Sequence, residues 1–153
     1  MMDLSQYERE GRLHGRCLCG DVTIEIDGGH VAAVGACHCF ICQQWSGALY
    51  ATFDARADAV TVTGEVARFR SSDHAERAFC PTCGAHLWYR NVMREAAAYE
   101  LMAGLFREAA GFPLVSEIYV DQAPAYVSLA GDHPRKTAAE YEARTTSVEG
   151  DDP

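Results

Sequence analysis

The chain has 153 residues, 48% of them hydrophobic and 23% charged, which suits one compact domain with a modest core and leaves too little material for two. A formal net charge of −9, with only 13 Lys and Arg scattered along the sequence, excludes a phosphate-neutralising surface, so no nucleic-acid partner is expected. No apolar run approaches the roughly 18 residues a membrane helix needs, and residues 1–10 hold no basic stretch leading into an apolar one, so no membrane partner and a cytoplasmic location are expected.

In chain order, residues 1–10 read as an N-terminal extension, 11–144 as a single domain, and 145–153, which close on Gly150-Asp151-Asp152-Pro153, as a flexible tail. Cys17-Leu18-Cys19 comes first: on a strand, residues i and i+2 share a face, so extended backbone would present both thiols in one direction with Leu18 turned away. Residues 22–26 alternate apolar and polar and stop at Asp27-Gly28-Gly29, predicting a half-buried strand that runs into a tight turn. Beyond Cys37-His38-Cys39-Phe40-Ile41-Cys42, branched and aromatic content predicts strands over 48–53, 60–63, 66–70, 77–80, 85–90, 99–103 and 116–120. Helical periodicity is weak, enough for a turn or two over 91–98 and a short helix over 135–143 after Pro134. Pro113, Pro124 and Pro134 suit connections that wrap the sheet. The fold class expected is mainly β, with few short helices.

All seven cysteines fall at metal-ligand spacings, the third group being Cys80-Pro81-Thr82-Cys83. In a reducing compartment such spacings mean metal ligands or redox centres rather than disulfides, and an odd count suits four-plus-three ligation. Cys17, Cys19, Cys80 and Cys83 would complete a closed tetrahedral zinc site. Pro81 stiffens the second turn and Gly84 permits a positive φ, so the enclosed amides can point at sulfur. A dithiol redox motif on Cys80 and Cys83 is the competing reading, but such a motif normally precedes a helix and 85–90 reads as a strand. Because the first group must meet the last, with the middle one between them, no domain boundary falls in that span.

Cys37, Cys39 and Cys42 supply three sulfurs and leave the fourth position either open for chemistry or filled by a distant ligand such as His74 or His86. His38 lies between two of them and projects to the opposite side if the backbone is extended. Trp45, Phe53, Phe69, Phe79, Trp88 and Tyr89 read as core and rim, with Phe40 and Trp45 flanking the trio as an apolar wall. His30, His74 and His133 stand among turn-like residues and are expected to be exposed. Arg68, Arg70, Arg77, Arg90 and Arg94 read as solvated strand faces.

The segments Gly15-Arg16-Cys17-Leu18-Cys19-Gly20, Ala36-Cys37-His38-Cys39-Phe40-Ile41-Cys42 with Ser46-Gly47-Ala48, and Arg77-Ala78-Phe79-Cys80-Pro81-Thr82-Cys83-Gly84 together resemble the glutathione-dependent formaldehyde-activating enzyme family, over roughly residues 11–130. The resemblance implies an Mss4-like, zinc-stabilised β-sheet fold with two zinc ions per chain. One would be structural, on Cys17, Cys19, Cys80 and Cys83. The other would be open and catalytic, on Cys37, Cys39 and Cys42. The implied activity is that of a carbon–sulfur lyase with glutathione and formaldehyde as partners and S-hydroxymethylglutathione as the adduct. Zinc with three thiolates carries a net negative charge, so it activates water poorly, whereas a thiol at the open position would be deprotonated and stay nucleophilic. No general acid is assigned by the sequence. A non-catalytic zinc-binding interaction module of the same fold is the competing reading, and exposed sheet edges make a homodimer feasible.

Overall fold

Alternating side chains give this chain its strands, and the computed structural model, which describes residues 2–145, joins eleven of them into one sheet. In chain order they are β1 (Glu8–Arg16), β2 (Thr23–Val31), β3 (Val34–Cys37), β4 (Tyr50–Ala55), β5 (Val60–Thr63), β6 (Ala67–Arg70), β7 (Ala75–Phe79), β8 (His86–Asn91), β9 (Tyr99–Met102), β10 (Leu114–Ile118) and β11 (Arg135–Lys136). Two short helices, α1 (Phe40–Ser46) and α2 (Ala138–Glu142), complete the regular structure besides single 3-10 turns. The fold is mainly β, as expected. The main path runs β11-β10-β3-β4-β9-β8-β7-β6, and β1, β2 and β5 branch from it where His30 pairs with Ala55 of β4. Strand β10 lies parallel to β3 and β11, and the other pairings are antiparallel. Among the described residues no helix is long and apolar enough to cross a membrane. Residues 146–153, most of the tail expected to be flexible, lie outside the described residues.

Several elements differ from expectation for local reasons. Strand β1 begins at Glu8, ahead of Gly11, and no alternation marks it because it is an outer strand whose residues are mostly exposed. Strand β2 runs straight through Asp27-Gly28-Gly29 instead of turning there. The glycines serve clearance: a Cβ on Gly28 would stand 3.0 Å from the Cβ of Ala59, and one on Gly29 would stand 2.6 Å from Cδ of Arg56, so a 3-10 turn can lie against the strand. Of residues 91–98, Asn91 ends β8 and the rest form turns without helix, and Ala96 takes a φ of 53° that ends any helical run. Residues 135–143 split at Thr137. Its hydroxyl accepts from the Glu140 N–H while the Glu140 carboxylate accepts from the Thr137 N–H, a capping box that starts α2 only after β11 has paired.

The core forms where β2, β4, β8 and β9 turn branched and aromatic side chains inward: Ile24, Ile26, Phe53, Leu87, Trp88 and Leu101, joined by Val22 and Phe106. Phe53 meets Phe106 and Phe112 edge-on at 5.1 and 5.4 Å. Each such side chain contributes about 1.5–3 kcal/mol by leaving water. Cys17 and Cys80 belong to this same cluster, so one cysteine group is built into the core itself.

Candidate metal and active centre

The first cysteine group forms between strands, not on one. Cys17 and Cys19 sit in the bend that joins β1 to β2, yet Leu18 turns away as expected and is 83% exposed. The bend closes on Val22, whose carbonyl accepts from the Cys17 N–H at 3.0 Å and whose N–H donates to Cys17 Sγ at 3.3 Å. Cys80 to Cys83 make the β7–β8 turn, in which the Gly84 N–H reaches the Cys80 carbonyl at 2.8 Å and Gly84 takes a φ of 75°. Strand β8 follows at once, so the helix a dithiol redox motif needs is not there.

The two turns come together, with Cys17 and Cys80 in the core cluster. Cys17 and Cys19 sulfurs lie 3.5 Å apart, Cys19 and Cys80 3.8 Å, and all four sulfurs fall within 4.8 Å of one another. A disulfide would need about 2.05 Å, whereas a tetrahedron with metal–sulfur bonds of ~2.3 Å has an edge of about 3.8 Å. The spacing therefore fits a four-coordinate metal. Backbone amides of Cys19 and Ala85 hold the Cys83 thiol down to about 6, which favours the thiolate a metal requires.

The middle group is built by a strand end and a helix start. Cys37 closes β3, Cys39 precedes α1 and Cys42 lies in its first turn, with the Cys42 N–H donating to Cys39 Sγ at 3.4 Å. The sequence reading missed this helix. Its signals were one capping sulfur and a terminating Gly47 at φ 85°, around only two turns. The three sulfurs lie within 4.8 Å of one another, and among the described residues no fourth His, Cys, Asp or Glu joins them. His86 instead stacks on Trp45 with ring centres 4.4 Å apart, and His74 Nδ1 faces the Ser72 hydroxyl at 3.3 Å. As bare thiols the trio shares its protons unevenly: bonds from Cys37 and Cys42 hold Cys39 down to about 3, while the bond to Cys39, with burial, pushes Cys37 up. Three sulfurs this close could hold a cation between them, a donor set that suits zinc.

Beside the trio stands a buried cation that the sequence reading placed in solvent. Arg77 is 1% exposed; its Nη2 lies 3.6 Å from Cys42 Sγ and its Nε donates to the Ser71 hydroxyl at 3.1 Å. The guanidinium carbon sits 5.3, 5.4 and 5.9 Å from the ring centres of Tyr89, Tyr50 and Trp45. Strand β7 is covered on both faces, so strand periodicity could not reveal which of its polar side chains points inward. Arg68 and Arg70 are exposed, as expected of solvated strand faces.

A cavity of about 210 Å³ opens over the three sulfurs and Arg77. Its walls are Tyr50, Tyr89, Asn91, Arg94, Glu100, Ile118, Tyr119, Tyr141 and Thr145, not the expected Phe40 and Trp45. Phe40 is 52% exposed, and Trp45 packs against Phe69, Phe79 and His86. Register explains the substitution. Tyr50 is the cross-strand partner of Cys37, Tyr89 that of Arg77, and Ile118 pairs with Cys37 from the other side. Tyr119 follows in the left-handed region at φ 57°, a strained conformation for a side chain of its size, and donates to Glu142 Oε1 at 3.0 Å.

His38 points away from the sulfurs, as an extended backbone predicts, and enters a buried polar cluster. Its Nε2 meets Glu117 Oε1 at 2.8 Å, while Glu117 Oε2 takes His133 Nε2 and Arg135 Nε, the latter at 2.9 Å. His133 and His30 are each only 8% exposed, which corrects their assignment to the surface. Burial works to raise the Glu117 carboxyl, but the bonds from His133 and His38 and the charge of Arg135 outweigh it and hold the group below the usual range. The cluster ties the trio's loop to β10 and to the segment before β11.

Comparison with known proteins agrees with this geometry. The model of the glutathione-dependent formaldehyde-activating enzymes matches residues 12–122. A protein of Schizosaccharomyces pombe named as an uncharacterized lyase is 26% identical over 117 residues, covering 72% of this chain and 80% of that protein. The crystal structure of a Rhodobacter sphaeroides protein, 23% identical, superposes with a TM-score of 0.53 over 67% of this chain and 100% of its own, a likeness of fold. With the family match spanning all three cysteine groups and most of the strands around them, the chain belongs to the glutathione-dependent formaldehyde-activating enzyme family.

Proposed function

We propose that this protein is a zinc-dependent carbon–sulfur lyase that forms or cleaves a thiol–aldehyde adduct, with glutathione and formaldehyde the default pair and S-hydroxymethylglutathione the default adduct. The observation that carries the reading is a trio of sulfurs lacking a fourth ligand among the described residues and opening on a cavity that also holds a buried arginine. The name of the fission yeast relative supports the lyase class.

Cys37, Cys39 and Cys42 would hold the reactive zinc, and Cys17, Cys19, Cys80 and Cys83 the structural one. Bound at the trio, zinc supplies a position at which an incoming thiol loses its proton yet remains nucleophilic. The rest falls to side chains of this chain. Arg77, 3.6 Å from Cys42, offsets the negative charge that three thiolates leave over a divalent cation, so a further anionic sulfur is not repelled. Tyr50 and Tyr89 line the cavity against water. At about 210 Å³ it takes a sulfur and a one-carbon aldehyde but not a whole tripeptide, whose carboxylates would lie at its mouth, where Arg94, an exposed wall residue, suits them.

The test is exchange spectroscopy of glutathione with formaldehyde at equilibrium, with and without protein. Exchange above the uncatalysed background is expected, together with two zinc ions per chain. One tightly held metal, with Cys37, Cys39 and Cys42 freely alkylated and no added exchange, would leave a non-catalytic zinc module instead.

A further inference from the structure

Tyr50 is 4% exposed, and its hydroxyl makes no hydrogen bond among the described residues, whereas the Tyr119 hydroxyl in the same cavity is engaged by Glu142. A hydroxyl removed from water without a partner costs folding free energy, so an orphan kept in a site points to a ligand that completes it. Its place follows from register: Tyr50 faces Cys37 directly across the β3–β4 ladder, and such partners project from the same face of the sheet. Tyr50 lines the cavity over the three sulfurs together with Arg77 and Glu100, so its side chain belongs to the site rather than to the apolar core. A phenol is protonated at neutral pH, and therefore a donor.

We propose that the Tyr50 hydroxyl donates a hydrogen bond to the aldehyde oxygen as that oxygen becomes the hydroxyl of the adduct. This rests on the thiol–aldehyde reading above and assigns a catalytic role that no cysteine motif marks. In the forward direction the sulfur–carbon bond forms while the carbon–oxygen π pair moves onto oxygen. The proton surrendered by the thiol returns to that oxygen from solvent, and Tyr50 keeps its own. Cleavage reverses each step. Because negative charge grows on the oxygen along the way, the bond is stronger at the transition state than with either bound reactant and acts on rate rather than on affinity.

Tyr50→Phe removes the oxygen and leaves the ring beside Arg77. Measured on the metal-loaded protein, the expected result has three parts: an exchange rate at saturating thiol reduced about a hundredfold, two zinc ions still bound per chain, and a thermal midpoint unchanged or raised. A full exchange rate in the variant overturns the proposal, and so does a lowered midpoint with the rate intact, the pattern of a hydroxyl partnered within the fold. The wild-type protein keeps the two levels apart: absence of exchange above background in wild type overturns the lyase reading and the Tyr50 role together, whereas exchange in wild type that survives in Tyr50→Phe overturns the Tyr50 role alone.

Discussion

The two sulfur clusters use the same ligand atom and differ in almost everything around it. The quartet joins the β1–β2 bend to the β7–β8 turn, and two of its members, Cys17 and Cys80, are as buried as any leucine of the core they belong to. Its polar neighbours are backbone amides. The trio joins a strand end to a helix start and is surrounded by long side chains from four other places in the chain: Tyr50, Arg77, Tyr119 and Tyr141. A cluster satisfied by its own turns and packed into a core supports the fold, while one that faces a lined cavity can meet a substrate.

The most forceful way to break this contrast is to remove one sulfur from each cluster. Cys80→Ser is expected to unfold or aggregate the chain, since a structural zinc contributes on the order of 10 kcal/mol to folding. Cys39→Ser is expected to leave a folded protein with one metal and no thiol–aldehyde exchange. Circular dichroism with metal analysis reads both, and equal loss of fold in the two variants would erase the distinction between the sites.

A smaller effect should separate the clusters by their supports. Glu117→Gln takes the charge from a carboxyl that holds His38, His133 and Arg135, at an expected cost of roughly 3 kcal/mol in denaturant unfolding. Because only the trio's loop leans on Glu117, a chelator should strip one metal from this variant more readily than from wild type. Accelerated loss of both metals together would mean that the clusters are not independent.

Smaller still is a pH effect confined to the cleft that Asp54 shares with Cys37. Burial pushes the Asp54 carboxyl up to about 6, against an ordinary 3.8, and Glu100 stands across the β4–β9 ladder from it. The fold thus favours the protonated form. The corresponding stability is fully present below about pH 4 and is lost as pH rises through about 6. Asp54→Asn should therefore stabilise the protein by about 2–3 kcal/mol at pH 8 and by nothing at pH 4. Unfolding curves at the two pH values that show an equal gain would refute the assignment. The least effect belongs to Leu18→Ser: with the side chain 83% exposed between two quartet sulfurs, its thermal midpoint and metal content should match wild type, a change within about 0.5 kcal/mol.

What could be read in advance follows the range of the physics involved. Cysteines two and three residues apart are held near one another by the covalent chain, so Cys17 with Cys19, Cys80 with Cys83, and the three of the middle group could each be seen to converge. Strands with one buried face, such as 60–63, show in their alternation. Outer strand β1 has no such pattern because solvent covers most of it, and α1 is too short for a helical period to declare itself. The walls of the open cluster are hidden from the sequence for a related reason: Phe40 and Trp45 are neighbours of the trio along the chain, and nearness along the chain is not nearness in space.

Spacing along the chain thus sufficed to say that seven thiols divide into a four and a three, and that the three lack a partner close by in sequence. It could not say what fills the space before them. Arg77 reaches Cys42 because β7 and α1 approach, Tyr50 faces Cys37 because β3 pairs with β4, and Tyr119 arrives because β10 runs parallel to β3. Each of these depends on strand register, which is set by burial summed over a whole sheet rather than by the residues that end up in the site.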